Sequence, residues 1–162
     1  MALFEEEIDA EYERARKRAM YLLGSRPYST AALREKLLNN YSEETAERVI
    51  EDMTRYGFLD DEEYARRLAS SIIKGKKYGT HRAKAEMRRK GVPQELIEQA
   101  LSEYSREDMA ESLTELVRKK YADRITDRDE RQKVIAALAR RGYGFGEIKS
   151  AIMAVLEEME EE

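Results

Sequence analysis

The chain has 162 residues, 40% of them charged, with a mean hydropathy of -0.79. That length suits one ordinary domain or a few very small ones, with a thin core. It has no Cys and one His, which excludes disulfides, thiol nucleophiles and a His-rich zinc site. No apolar run reaches membrane-spanning length, and the acidic N-terminus is not a signal peptide, so a cytoplasmic protein with no membrane partner is expected.

The net charge of -4 hides an uneven distribution. Met1 to Glu13 holds six acids and no base, and Glu157 to Glu162 holds five acids and no base. With those eleven set aside, the body holds 23 acids against 30 bases, a net +7. Such asymmetry fits either an anionic partner or a solvated surface with solubilising ends.

Taken in chain order, the periodic segments predict helices. Helix one runs from about Glu5 to Leu23, with an inward stripe of Ile8, Tyr12, Ala15, Ala19 and Leu22. Helix two follows Ser29 and carries Leu33, Leu37 and Leu38. Ser42 caps helix three, whose stripe is Ala46, Val49, Ile50 and Met53, and Gly57 ends it. Asp60 caps helix four, with Glu63 completing a capping-box pattern and Tyr64, Ala65, Leu68 and Ile72 inward. Thr80 caps helix five, with Ala83 and Met87 inward and Gly91 as the stop. Pro93 sits at the first position of helix six, ahead of Ile97, Ala100, Leu101 and Tyr104. Ser105 caps helix seven, with Ala110, Leu113, Leu116 and Val117 inward. Asp127 caps helix eight, with Val134, Ile135 and Leu138, and Gly142 stops it. Helix nine carries Ile148, Ala151, Ile152 and Val155.

These segments fall into three triplets with a repeat of 51 residues. The offset links Tyr41, Val92 and Tyr143. It also links Ala46, Ile97 and Ile148, then Val49, Ala100 and Ala151, then Ile50, Leu101 and Ile152. Three helices bury little surface alone, whereas stacked copies share a core. The fold class expected is all-α, three tandem three-helix repeats in an elongated array. The boundaries expected are 1–57 with the acidic lead, 58–104, and 105–162 with the acidic tail.

Few residues suggest chemistry. Asp60-Asp61-Glu62-Glu63 fits a helix N-terminus better than a divalent cation site, because no glycine-hinged loop surrounds it. His81 has no carboxylate nearby in sequence to orient it. Gly142-Tyr143-Gly144-Phe145-Gly146 follows a helix rather than a strand, which fails the context of a phosphate loop. No enzyme, metal or cofactor is expected.

Lys74 to Lys90 is more informative, with eight Lys or Arg and one acid, Glu86. With Ala83 and Met87 inward, His81, Arg82, Arg88 and Arg89 point outward and Lys84 lies on the flank. Lys76, Lys77 and Tyr78 extend the patch through the preceding loop. The patch suits phosphates, with Tyr78 stacking on a base, or the acidic face of a protein. Arg16, Lys17, Arg18, Arg118, Lys119, Lys120, Arg140 and Arg141 form smaller basic groups.

Gly57-Phe58-Leu59-Asp60-Asp61-Glu62-Glu63-Tyr64-Ala65 resembles the central signature of the RecX family of bacterial recombination regulators. Upstream, Tyr21-Leu22-Leu23, Arg26, Ser29 and Leu37 resemble its first module. Downstream, Tyr78-Gly79, Arg82 and Lys90-Gly91-Val92-Pro93, then Ile97 and Ala100-Leu101, resemble its second. The resemblance covers roughly residues 12 to 156. It implies three tandem three-helix modules in a curved, elongated body; separately, a monomer is expected. It implies binding in the groove of the RecA filament on DNA, with filament growth blocked or disassembly promoted. RecA's ATP hydrolysis, strand exchange and co-protease activity are then suppressed, in a setting of DNA repair and the SOS response. Direct DNA binding is a further implied property. The partner-binding residues expected are Lys76, Lys77, Tyr78, Arg82, Lys84, Arg88 and Arg89. The alternatives are a free-standing DNA-binding helical-repeat protein and a scaffold.

Overall fold

The computed structural model describes residues 2–162; Met1, first residue of the acidic lead, lies outside them. Among the described residues there are nine α-helices and no strand. They are α1 (Ala2–Ser25), α2 (Thr30–Leu38), α3 (Glu43–Arg55), α4 (Asp61–Ser70), α5 (Thr80–Arg89), α6 (Gln94–Leu101), α7 (Arg106–Lys120), α8 (Arg128–Arg140) and α9 (Phe145–Glu161). A five-residue π-helical turn, Ser71–Gly75, continues α4. The all-α class and the three tandem triplets follow the sequence pattern.

Helix starts obey local chemistry. The side chains of Ser29, Ser42, Ser105 and Asp127 each accept from the backbone N–H three residues on. Asp60 does the same for Glu63, at 3.1 Å. Each supplies one of the acceptors that a helix N-terminus lacks. Two expected starts move by one residue. Thr80 is the first helical residue rather than the cap, and the carbonyl of Gly79 accepts from Ala83 N–H. Pro93 precedes α6, which begins at Gln94, so Pro93 lies one position before the first turn.

The repeat is visible in burial. All nine residues of the Ala46, Val49 and Ile50 registers are buried, from Ala46 through Ile152. These are the third helices of each triplet, and each turns the same face inward. The other stripes hold with exceptions. Ile8, Leu38 and Ala110 are exposed, and Met109 takes the inward place expected of Ala110. Tyr64, Leu68, Leu116 and Ile135 are half-buried, while Ala69 is fully buried.

The chain forms two compact units, one of Met1–Ala65 with Arg88–Leu96, the other of Arg66–Met87 with Ile97–Glu162. In the first unit α1, α2 and α3 pack around Ala15, Ala19, Leu33, Leu37, Val49 and Met53. Glu11 of α1 accepts from Ser42 N–H at 2.8 Å and from the Thr45 hydroxyl at 2.8 Å, which holds its carboxyl below the usual range. Tyr12 donates to Asp52, and Arg48 lies 3.9 Å above the Tyr12 ring. In the second unit α7 and α8 pack against α9.

Each unit also contains a joint between successive triplets. In the first unit, Ser29 donates to the carbonyl of Lys90 at 2.7 Å, just before Gly91. Gly91 has φ +87°, and a Cβ there would lie 2.9 Å from Ala31 Cβ and Ser29 Oγ. Asp61 ties the same place from another side, accepting from Thr30 N–H at 2.8 Å. In the second unit, Gly79 N–H donates to the carbonyl of Arg141 at 2.8 Å, and His81 N–H to that of Gly142 at 3.2 Å. Gly142 has φ +99°, and a Cβ there would meet Arg82 backbone at 2.5 Å. Both joints seat the start of a second helix on the glycine turn of the next triplet.

Candidate partner-binding surface

The second joint organises the basic patch. After the π turn, Lys76 N–H closes back on Ser71 carbonyl at 3.0 Å, and Lys77 adopts φ +60°. A lysine in the left-handed region is strained and persists only where neighbours fix it. Two neighbours do so from the α8–α9 turn. Arg141 donates to the carbonyl of Lys76 at 2.8 Å, and the Tyr143 hydroxyl donates to that of Lys77 at 2.9 Å. Burial pushes the Tyr143 phenol up to about 12.

Tyr78 lies at the centre of this loop, half-buried. The Arg82 guanidinium sits 3.9 Å from its ring centre, Arg141 at 5.6 Å and the Lys76 ammonium at 5.7 Å. Three cations around one aromatic ring are favourable to the ring and unfavourable to one another. Arg82 also donates to the carbonyl of Arg140 at 3.3 Å, at the negative end of the α8 dipole. One carboxylate, Glu86, offsets the cluster, at 3.4 Å from Arg82 and 3.6 Å from Lys76.

The expected residues therefore divide. Lys76, Tyr78 and Arg82 come together, with Lys77 exposed beside them. Arg82 is only partly outward: its side chain is 39% exposed and packs on Tyr78 and the Gly142 turn. The Tyr78 ring, on which a base was expected to stack, has the Arg82 guanidinium against it. Lys84 is exposed and lines a different feature, an open cleft of about 900 Å³ shared with His81, Arg106, Tyr104 and Glu147. Arg88 and Arg89 are exposed and belong to the first compact unit.

Sequence reasoning missed Arg141 and Tyr143 as members of this surface. They lie more than 60 residues from the loop they hold, and their bonds go to backbone carbonyls, which carry no residue code. The 51-residue pairing of Lys90-Gly91 with Arg141-Gly142 was the one signal that pointed there. Of the smaller basic groups, Arg118 is spent on Glu158 at 2.7 Å and Lys119 on Glu115 at 2.8 Å. The Asp60–Asp61 pair is spent at two helix N-termini. Among the described residues no group of three or more His, Cys, Asp or Glu is placed to hold a metal ion, and no helix is long and apolar enough to cross a membrane.

The triplets match three family models in register. Residues 15–53 match the first three-helix domain of RecX, 60–101 the second and 107–152 the third. The Regulatory protein RecX of Trichlorobacter lovleyi is 37% identical over 130 residues, which span 77% of this chain and 84% of that protein. The chain belongs to the RecX family. Another family member, the Regulatory protein RecX of Prosthecochloris aestuarii, is 32% identical over 91% of this chain and 97% of its own length. A crystal structure of RecX from Lactobacillus salivarius superposes with a TM-score of 0.81 over 91% of this chain and 97% of that one, at 19% identity, a likeness of fold. The curated RecX relatives are named as regulatory proteins rather than as enzymes.

Proposed function

We propose that this chain is a non-enzymatic negative regulator of RecA. It binds in the groove of the RecA–DNA filament, limits filament growth or promotes disassembly, and so lowers RecA's ATPase, strand-exchange and co-protease activities. It acts in the cytoplasm as a monomer. Family membership across all three triplets is the observation that carries this reading. The joint around Tyr78 supports it, because it presents Lys76, Lys77 and Arg82 on a braced backbone rather than on a free loop. A braced cationic surface loses less conformational freedom on meeting phosphates or carboxylates of a filament.

The test is RecA's DNA-dependent ATPase as the protein is titrated in at near-physiological salt, with naked-DNA binding measured alongside. Inhibition well below the RecA concentration, at doses with little naked-DNA binding, is expected. Inhibition only at doses that coat the DNA moves the assignment to a free-standing DNA-binding protein. The combined variant Lys76→Gln with Lys77→Glu is expected to need about tenfold more protein for half-inhibition, since each lost contact to a charged group is worth about 1 kcal/mol or more. Its helicity should equal the parent's, because both side chains are exposed.

A further inference from the structure

Glu86 is the only acid between Lys74 and Lys90, and the repeat does not require it. It precedes the buried Met87, whose counterparts Leu37 and Leu138 are preceded by Lys36 and Ala137. Helix packing in the other two triplets thus proceeds with a cation or a methyl group at this place. The Glu86 side chain is 13% exposed, and its Oε2 is buried without a hydrogen bond from any protein donor. Its two nearest cations stand at 3.4 Å and 3.6 Å, close enough for attraction but long for hydrogen bonds. A buried carboxylate so poorly bonded is costly to keep, and the two cations beside it are its only close compensation.

We infer that Glu86 is a resident counter-ion that competes with the backbone phosphates of nucleic acid for Lys76 and Arg82, and so sets an upper limit on how tightly this surface binds DNA by itself. The inference rests on the reading of the Tyr78 surface as the partner-binding face. Two of the three cations around Tyr78 are already half-neutralised by one internal acid. A phosphate that takes Lys76 and Arg82 must displace their carboxylate, so part of each new attraction is cancelled. Lys77 makes no direct ion pair and feels an acid, Glu115, only at longer range, so it is less neutralised than Lys76 and contributes more. DNA binding by the free protein is then weak and easily screened, which favours sites where a second surface engages at the same time.

The experiment measures binding of a fluorescent single-stranded oligonucleotide across a salt series, with RecA ATPase inhibition measured on the same proteins. Glu86→Gln keeps the shape and removes the charge. It is expected to tighten binding about tenfold at 0.15 M salt and to steepen the log–log salt slope by about 0.7 for each cation released. Glu86→Asp keeps the charge and should stay near the parent. A folded Glu86→Gln with the parent's affinity and slope overturns the inference. Should that variant not fold, two single variants decide the matter. Lys77→Gln is expected to lose more affinity than Lys76→Gln, because Lys76 is already partly neutralised; equal losses, or a larger loss at Lys76, overturn it. Failure of the underlying reading looks different: the combined Lys76→Gln, Lys77→Glu variant would then inhibit RecA as well as the parent, whatever the salt slopes show.

Discussion

At the first joint a buried side chain makes the bond, Ser29 to the carbonyl of Lys90; at the second the backbone makes it, Gly79 to the carbonyl of Arg141. The neighbouring aromatic differs in step. Tyr28 is buried with one cation, Arg26, 4.0 Å above it, whereas Tyr78 is half-buried among three. A serine hydroxyl can satisfy both its own helix and the neighbouring turn, so the first joint closes over itself. Glycine offers no side chain, the two backbones come closer, and the room beside them fills with long basic side chains. The same packing solution thus yields a structural seam in one unit and a cationic surface in the other.

Glycine replacement should separate the two joints most widely. Gly142→Ala adds a Cβ 2.5 Å from Arg82 backbone at a residue with φ +99°, with no flexible atom to give way. A loss of about 3–5 kcal/mol in urea unfolding is expected from overpacking plus left-handed strain. Gly91→Ala meets only side-chain atoms at 2.9 Å, and should lose about 2–3 kcal/mol. Gly57→Ala, with φ +81° and open space, isolates the backbone strain alone at about 1 kcal/mol. Equal losses at all three would mean that close approach plays no part in the joints.

Ser29→Ala sharpens the contrast from the other side. It removes the cap of α2 and the donor to Lys90 together, at a cost of about 2 kcal/mol. A loss below about 0.5 kcal/mol would show that the first joint is held by packing instead.

The smallest expected effect is Tyr143→Phe, which deletes the bond to Lys77 for about 1 kcal/mol at neutral pH. Its pH dependence is diagnostic. The folded-state pKa of Tyr143 is raised to about 12, above its ordinary value of 10.0. The neutral phenol's contribution is therefore fully present below about pH 10 and is lost as pH rises through about 12. The gap between parent and variant should narrow from pH 8 to pH 11.5, and a constant gap would count against the buried hydroxyl.

Much of the fold was legible because it is local. A Ser or Asp before an apolar run is enough to place a cap, and a 3.6-residue stripe is enough to place Val49 or Ile152 inward. The misplaced residues were those where locality fails. Ile8 continues the α1 stripe yet is 41% exposed, so its exposure could not be read from period alone. Ala110 and Met109 are adjacent, and the helix phase was off by one position. At the candidate site, charge concentration grouped Lys76, Tyr78 and Arg82, which lie together in the structure. Arg82's partial burial and the contribution of Arg141 depend on a contact across 60 residues between backbone groups, for which the sequence holds only a glycine and a repeat spacing.

The spacing itself has a consequence. Ala15, Ala19, Leu22, Leu33 and Leu37 recur 50 residues later as Ala65, Ala69, Ile72, Ala83 and Met87, while Tyr41 onward recurs at 51. The added residue falls in the turn that holds Gly91; the corresponding turn of the first triplet, Asn39–Asn40, has no positive-φ residue. That turn receives no helix start, and the two that do receive one carry the glycine. In the third triplet the start differs: Asp127 caps α8 three residues ahead of Glu130, the position that matches Ser29 and Gly79. The coupling has a plug and a socket. A further copy of the second triplet grafted ahead of α1 would meet a turn one residue too short to serve as its socket, and one grafted after α9 would meet a helix start three residues out of step with the plug.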